Sequence, residues 1–441
     1  MKLFFVVIIY IFLNHCSFDD KTGIWNSNNN ISKKENNLFK EFKTLSGSEE
    51  FFQKEIPIKK NFTIDLPKKK ISKNWNDIYY NQTNNSENFS YKLDKNTLFL
   101  SKKFSRYKLD KYILYNDKHA ILTDQRGNII IFSLSQNKVL NKYNFYKKKF
   151  KKYNKKLNLV VSKNIIYVTD NIGFVYAYDY KKNNIVWAKN TKTPFRSNLK
   201  IKKNKLIAAD ENNNIYFFDK KNGDILKLIP TEETLIKNNF INNFSLSKDL
   251  IFLLNTYGSL FAIEDNTYEV RWVRNLNQSS DLNQINLFKG NPIVNNEKFI
   301  IVTSHDSTYL IDANNGSILH KYNIISQIKP LIINDNLFLI SKNNLLICIN
   351  IRSGEIIYSY KINQKIADYL KIKKKNILVE DIFLANNNIL ILLKNSFVIE
   401  FEINGSLKKI FRLPKEVNSN LLFVENSVIF VNNRKKLVVL N

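Results

Sequence analysis

Cysteine is scarce in this sequence, which has two, Cys16 and Cys348. Cys16 follows an apolar run at the start of the chain, and its modification there would leave Cys348 without an intramolecular partner. The fold must then be held by a hydrophobic core and not by disulfides. Cys348 lies in the apolar stretch LLICINI and is interpreted as a small core residue, not as a nucleophile.

Glycine is also rare, with 10 residues, whereas asparagine is abundant. Asparagine tolerates the left-handed backbone conformation, so it can replace glycine in tight turns. Hydrophobic residues make up 44% and aromatic residues 13% of the chain, which excludes wholesale disorder. Most of them are Ile, Leu, Phe, Tyr and Val, a composition that favours strands. The four histidines have no metal-binding spacing.

Acidic residues are few, 39 against 68 lysines and arginines, so the formal net charge is +29. A charge of this sign suits nucleic acid or an anionic membrane surface. The lysines are spread through the chain, however, with the densest run at 147–156, and no nucleic-acid-binding motif accompanies them. We therefore expect no nucleic-acid partner, and the sequence alone assigns no role to the charge.

An apolar run from Leu3 to Leu13 follows a single lysine at the start of the chain. It is too short to span a bilayer as an ordinary helix and is typical of the core of a secretory signal peptide. The residues Leu13-Asn14-His15-Cys16 resemble a bacterial lipobox, although His15 stands where that motif has Gly, Ala or Ser. The resemblance implies a signal peptide over 1–15 and lipidation of Cys16, and Ser17 implies sorting to the outer membrane. A plain signal peptide with an incidental cysteine is the alternative.

The stretch AYDYKKNNIVW, residues 177–187, belongs to a unit that recurs seven times. Each copy has an Asp-like position, a turn residue four positions later, and an aromatic or polar residue four positions after that. The Asp-like positions are Ser133, Asp179, Asp219, Glu264, Asp312, Asn350 and Phe401. The turn positions are Asn137, Asn183, Gly223, Tyr268, Gly316, Gly354 and Gly405. The last positions are Asn141, Trp187, Lys227, Trp272, His320, Tyr358 and Lys409. We interpret the aspartates as turn formers that bond to nearby backbone.

Alternating apolar residues predict four strands in each unit of roughly 40–45 residues, which is the period of a β-propeller blade. An eighth, partial unit covers Ser427–Val431 and Leu437–Leu440 and lacks its outer strand, which Thr97–Ser101 can supply. Pairing the two ends in this way leaves no open sheet edge at the closure. The sequence thus predicts an all-β, eight-bladed propeller of four-stranded blades over 71–441, preceded by a flexible tether over 16–70.

The repeat resembles that of quinoprotein-type propellers, which two families share: quinone-dependent dehydrogenases and BamB, a lipoprotein of the outer-membrane β-barrel assembly (BAM) machinery. The dehydrogenases hold a quinone and Ca²⁺ with a catalytic Asp, stacking Trp residues and commonly a vicinal disulfide. This chain has four Trp, one of them in the tether, and no adjacent cysteines. We therefore expect no catalytic residue, no metal and no cofactor, and keep a quinone-dependent dehydrogenase as the alternative.

The resemblance to BamB, of the alphaproteobacterial type, extends over nearly the whole chain. It is carried by CSFDDKTGIW, by IDLPKKKISKNWND (64–77) and by TPFRSNL (193–199). It implies a non-catalytic scaffold in the BAM complex on the periplasmic face of the outer membrane, anchored by lipid. It also implies docking on the POTRA domains of BamA through Phe195 and Arg196, with unfolded outer-membrane proteins as further candidate partners. An ordinary strand residue and a solvated charge are the alternative for this pair, and the second contact loop of the family, within 237–243, is Asn-rich here.

Overall fold

The computed structural model describes residues 16–18, 25–27, 51–58, 62–93, 98–150, 152–233, 240–277 and 287–441. It forms two units, residues 1–49 and 50–441. In the first unit, Cys16–Phe18 (β1) pairs antiparallel with Trp25–Ser27 (β2). The signal peptide expected over 1–15 lies outside the described residues.

Among its described residues, the second unit contains eight sheets, each built on four antiparallel strands and numbered here as blades 1 to 8. Blade 1 is Leu114–Asn116 (β5), His119–Thr123 (β6), Asn128–Ser133 (β7) and Lys138–Asn144 (β8). Blade 2 is Leu157–Ser162 (β9), Ile165–Asp170 (β10), Phe174–Asp179 (β11) and Asn184–Asn190 (β12). Blade 3 is Lys200–Lys202 (β13), Lys205–Ala209 (β14), Ile215–Asp219 (β15) and Ile225–Ile229 (β16). Blade 4 is Asn243–Leu246 (β17), Leu250–Leu254 (β18), Ser259–Glu264 (β19) and Val270–Asn275 (β20).

The second half of the ring repeats this pattern. Blade 5 is Val294–Asn295 (β21), Phe299–Thr303 (β22), Thr308–Asp312 (β23) and Ile318–Tyr322 (β24). Blade 6 is Leu331–Ile333 (β25), Asn336–Ile340 (β26), Leu345–Asn350 (β27) and Ile356–Lys361 (β28). Blade 7 is Val379–Ala385 (β29), Asn388–Leu393 (β30), Phe397–Phe401 (β31) and Leu407–Arg412 (β32), with Asn88–Phe89 (β3) parallel to its first strand. Blade 8 is Leu422–Val424 (β33), Ser427–Val431 (β34), Leu437–Leu440 (β35) and Leu98–Leu100 (β4).

The two ends of the propeller close the ring, as the sequence predicts. Strand β4 pairs antiparallel with β35, with Leu98 opposite Leu440 and Leu100 opposite Val438. From blade 1 to blade 7, the first strands of neighbouring blades contact one another, and β33 of blade 8 contacts β5 of blade 1. The first strands therefore surround the centre of the ring. The predicted all-β, eight-bladed fold is confirmed.

The tryptophans of the recurring motif join blades 2 and 4 to the blade that follows each of them. Trp187 of blade 2 lies against Gly223 of blade 3, where an added Cβ would be 2.3 Å from the ring, and its Nε1 donates to the Lys220 carbonyl at 3.1 Å. Trp272 of blade 4 contacts Gly316 of blade 5 in the same way. These two glycines have φ of +77° and +72°, so both the turn and the indole above it require a residue without a side chain.

The Asp-like residues act within the turns, as expected. The Asp179 carboxylate accepts hydrogen bonds from the amides of Lys181 and Lys182, both at 3.0 Å. Asp312 accepts from the next turn amides in the same manner, at 2.8 and 3.2 Å. These carboxylates are structural.

The tether boundary expected at residue 70 differs from the structure, because the described residues from Phe51 onward pack on the propeller. Ile56 forms an antiparallel bridge with Ser359 of β28, and the Ile58 amide donates to the Tyr360 hydroxyl at 2.9 Å. The apolar residues Ile58, Phe62, Ile64 and Leu66 pack against the core of blades 6 and 7. These residues are spaced two or four positions apart, as in an extended segment. Lys and Asn residues between and around them make this pattern hard to recognise in the sequence.

One α-helix, Ile362–Leu370 (α1), interrupts the strand pattern between blades 6 and 7. Its residues Ile362 and Ala367 are buried, and it ends at Lys371, which is left-handed with φ 53°. No helix among the described residues is long and apolar enough to cross a membrane.

Candidate functional site

The segment from Ser72 to Phe89, here called the axial segment, lies at the centre of the ring. It contacts the first strand of each blade or the turn that follows it. The contacts are Ser72 with Glu425 (blade 8), Trp75 with Tyr115 (blade 1), Asn76 with Val161 (blade 2), Gln82 with Ile201 (blade 3), Asn84 with Phe244 (blade 4), Thr83 with Asn295 (blade 5), Asn85 with Ile332 (blade 6) and Asn88–Phe89 with Leu384–Ala385 (blade 7). The chain thus fills part of its own central channel.

A buried ion pair holds the axial segment to blade 3. Nζ of Lys200, whose side chain is 0% exposed, lies 2.6 Å from Oδ2 of Asp77 and donates to the Asn81 carbonyl at 2.8 Å. Burial lowers the pKa of the Lys200 ammonium, an effect that the Asp77 carboxylate opposes. An unpaired charge would be costly at this depth. The charged form of Lys200 therefore depends on Asp77, and that of Asp77 depends on Lys200.

Asparagine side chains hold the middle of the axial segment. Asn84 is fully buried, and its Nδ2 donates to the carbonyls of Phe244 and Ile293 at 2.7 and 2.8 Å. Asn85 donates to the Ile332 carbonyl at 2.9 Å and accepts from the amide of the same residue at 3.0 Å. Asn84 also has φ 60°, a conformation that asparagine tolerates better than most residues. In this irregular part of the segment, the side-chain amides of Asn84 and Asn85 form hydrogen bonds with backbone groups of the blades, as the backbone of a paired strand would.

A cavity of about 370 Å³ lies between the axial segment and the connections of blades 1, 5, 6, 7 and 8. Aromatic and charged side chains line it together. They are Trp75, Tyr79, Tyr80, Phe89, Tyr112, Phe383, Lys111, Lys329, Lys394, Glu380 and Asp381. Burial raises the pKa of Asp381 and lowers that of Lys329, whose Nζ donates to the Asn84 carbonyl at 2.9 Å. The cavity has room for a small molecule, and its lining combines apolar walls with charges of both signs.

Phe195 does not lie where the docking hypothesis places it. Its side chain is 2% exposed, it forms an antiparallel bridge with Asp210, and its ring contacts Tyr216 and Phe218 at centroid distances of 5.5 and 6.2 Å. The expectation of an exposed apolar anchor is therefore wrong for this residue. Phe195 packs in the apolar cluster between blades 2 and 3, which agrees with the alternative of an ordinary strand residue.

Arg196 is partly exposed beside this cluster. Its side chain is 26% exposed, and one guanidinium nitrogen lies 3.1 Å from Oε2 of Glu211. Its backbone is fixed on both sides, since its amide donates to the Ala209 carbonyl at 3.0 Å and its carbonyl accepts from the Asn242 amide at 2.8 Å. The guanidinium is thus held in place by a carboxylate of its own chain, with part of its surface open to solvent.

The loop expected to carry a second contact is only partly described, since residues 237–239 lie outside the described ranges. Asn242 is fully buried and structural: its Nδ2 donates to the Asp210 carbonyl at 2.9 Å and its Oδ1 accepts from the Thr256 amide at 3.1 Å. Ile241 next to it is 37% exposed. Ile241 therefore offers apolar surface in this loop, next to the residue whose amide donates to the Arg196 carbonyl.

Within the described ranges, no three His, Cys, Asp or Glu side chains gather in a group that could hold a metal ion. The axial segment also occupies part of the channel, and Cys348, the free cysteine of the propeller, is buried in blade 6. In this part of the channel, the first strands of the blades contact the axial segment of the same chain.

Sequence reasoning missed the residues that organise this centre, namely Asp77, Lys200, Lys329 and Asp381. A signal was present, because NWNDIYYNQTNNSENF (74–89) is dense in aromatic residues and asparagine and has no strand period. An aromatic-rich segment outside every repeat is a candidate for burial against the repeats.

Known proteins share this architecture. The family model described as outer membrane protein assembly factor BamB matches residues 115–360. Among solved structures, BamB from Moraxella catarrhalis is similar with 13% identity and a TM-score of 0.58, covering 77% of this chain and 99% of that one. A europium-containing methanol dehydrogenase has 11% identity and a TM-score of 0.57, covering 83% of this chain and 89% of that one. The quinohemoprotein alcohol dehydrogenase from Comamonas testosteroni has 9% identity and a TM-score of 0.57, covering 83% of this chain and 80% of that one.

Similarity at these identities shows the fold alone, which BamB and the dehydrogenases share. A search of curated proteins gives no match. The family model extends over more than half of the chain, from Tyr115 in blade 1 to Tyr360 in blade 6. This protein therefore belongs to the family of the outer membrane protein assembly factor BamB.

Proposed function

We propose that this protein is a non-catalytic scaffold lipoprotein of the BAM complex, which docks on the POTRA domains of BamA and aids insertion of outer-membrane proteins. The observation that carries the proposal is the axial segment, which contacts all eight blades and fills part of the central channel. The recognition surface is then the loops on a rigid ring. The family membership supports the same assignment.

Arg196 is the residue that we propose for the contact with BamA. Arginine presents a planar, permanently charged group that pairs with carboxylates, and here its position is fixed by its own backbone bonds and by Glu211. A carboxylate of the partner would bind the open edge of the guanidinium. Phe195 acts beneath the surface, where it fixes the backbone that presents Arg196.

The proposed location is the periplasmic face of the outer membrane. It rests on the lipobox-like sequence that ends at Cys16, on Ser17 after it, and on the family membership. Acyl chains on Cys16 would keep the propeller near BamA. Unfolded outer-membrane proteins remain candidate partners in the same proposal.

The test is the affinity of the purified protein for the POTRA domains of BamA. Arg196→Glu should weaken binding at least tenfold, about 1.4 kcal/mol, because it places a negative charge against the carboxylate of the partner. The matched control is Arg352→Glu, since Arg352 also pairs with an acid, Asp335 at 2.8 Å, in turns on the opposite face of the ring. Equal affinities of the two variants would contradict the assignment of Arg196.

A quinone-dependent dehydrogenase is the second candidate function. It is favoured by the structural similarity to two dehydrogenases, whose TM-scores of 0.57 are close to that of BamB. Saturable stabilisation of the protein by quinone and Ca²⁺ would support it, since a ligand that binds the folded state raises its stability.

A further inference from the structure

Helix α1 and the chain after it form a surface that the scaffold proposal does not use. Four large apolar side chains here are exposed: Tyr369 by 49%, Leu370 by 44%, Ile372 by 46% and Leu378 by 63%. They lie within one short stretch, YLKIKKKNIL, at the C-terminal end of α1 and directly after it, whereas Ile362 and Ala367 earlier in the helix are buried. We call the exposed residues from Tyr369 to Leu378 the α1 surface.

The α1 surface is strongly basic as well as apolar. Lys371, Lys373, Lys374 and Lys375 are interspersed among the apolar residues and are all exposed. Within the described part of the chain, no carboxylate lies within ion-pair distance of these four lysines. The nearest acid in sequence, Asp368, accepts a hydrogen bond from Gln364 at 2.8 Å. The charge of this stretch is therefore available to an external anion.

The position of α1 in the ring determines which way this surface faces. The helix lies in the connection from the outer strand of blade 6 to the first strand of blade 7. TPFRSNL lies in the corresponding connection from blade 2 to blade 3, so both belong to the same face of the propeller. An α-helix is unexpected in such a connection, which elsewhere in a propeller needs only an irregular loop.

We infer that the α1 surface binds the anionic surface of a phospholipid bilayer directly, in addition to any lipid on Cys16. Lysines are attracted to anionic headgroups, and apolar side chains among them can enter the boundary between headgroups and acyl chains. A nucleic acid, or an acidic protein surface that carries no apolar side chains, would satisfy the lysines but leave Tyr369, Leu370, Ile372 and Leu378 without an apolar environment. The helix lies on the membrane and does not cross it, because it has nine residues.

The experiment measures co-sedimentation with phosphatidylcholine vesicles that contain or lack phosphatidylglycerol. It uses the chain from residue 16 onward with Cys16→Ser, so that neither the signal peptide nor acyl chains contribute. We expect binding to the anionic vesicles, weakened at least tenfold by Lys373→Gln, Lys374→Gln and Lys375→Gln together. The control removes three exposed lysines from turns on the opposite face, Lys118→Gln, Lys182→Gln and Lys221→Gln, and should change binding less than twofold.

A fluorescent label tests whether the apolar residues enter the bilayer. Ile372→Cys in the same chain can be labelled selectively, because Cys348 is 0% exposed. An environment-sensitive dye at residue 372 should become brighter when anionic vesicles are added, and Tyr369→Ser with Leu370→Ser should abolish the change.

Three results would overturn the inference. An equal loss of binding in the two lysine variants would show that net charge alone draws the protein to vesicles. Unchanged dye emission on bound vesicles would show that the apolar residues stay in water. Absence of vesicle binding, together with a loss of POTRA binding in the α1 variants, would assign the surface to a protein partner instead.

Discussion

Replacement of Asp77 by Asn tests whether the axial segment is locked into the ring by its buried ion pair. The change keeps the shape of the side chain but removes the charge 2.6 Å from Nζ of Lys200, whose side chain is 0% exposed. Breaking a buried pair by removing one partner typically costs about 3–5 kcal/mol, because the remaining charge is left without compensation. We expect Asp77→Asn to lower the free energy of unfolding by about that amount.

The loss of stability in Asp77→Asn should depend on pH, in a direction set by the pKa of Lys200. Burial lowers the folded-state pKa of Lys200 below its ordinary value, and removing Asp77 removes the opposing effect. Between the lowered pKa and the ordinary value near 10.4, the unfolded chain binds more protons at Lys200 than the folded one, so stability rises with pH. The cost of Asp77→Asn should therefore be largest near neutral pH and shrink as the pH rises toward about 10.

The assay is urea unfolding at several pH values, with hydrogen exchange of residues 72–89 as a local measurement. Lys200→Met is the matched variant, and the double variant Asp77→Asn, Lys200→Met should lose the extra pH dependence and recover part of the stability. Exchange should accelerate in the axial segment of Asp77→Asn before it accelerates in the strands. A loss below about 1 kcal/mol that does not vary with pH would refute the reasoning, since that is the value of an exposed pair.

Three further predictions concern the anchor, the closure and the channel. Cys16→Ser should move the protein from the membrane fraction to the soluble fraction, and an intact mass that shows unmodified Cys16 in the wild type would contradict lipidation. Deletion of residues 97–101 removes β4 and exposes the edge of β35, so it should cause aggregation or a large drop in melting temperature, whereas deletion of 17–49 should leave the melting temperature of the propeller unchanged. Quinone with Ca²⁺ should neither raise the melting temperature nor support dye-linked alcohol oxidation, and a saturable rise in melting temperature would return the dehydrogenase function to consideration.

Most of the fold was predictable from the sequence because its elements are local. The alternation of apolar residues specifies each strand, and the Asp-like and turn positions specify the connections, as Asp179 and Asp312 show. Even the closure could be predicted, because an incomplete last repeat requires an outer strand from elsewhere. The candidate site was less predictable: TPFRSNL was found as a motif, but Phe195 was expected at the surface and lies in the core between two blades.

The sequence by itself determined the number of blades, their turns and the pairing of the two ends, since each depends on residues close in the chain or on the repeat register. Only the tertiary structure decided what those residues face. Trp187 packs on Gly223 of the next blade, a contact that no single repeat specifies. The axial segment has no sequence period of its own. Its conformation is fixed by contacts with all eight blades, above all by the ion pair of Asp77 with Lys200. Burial in the centre of the ring is a property of the assembled fold, because it arises only when the first strands of all the blades have come together.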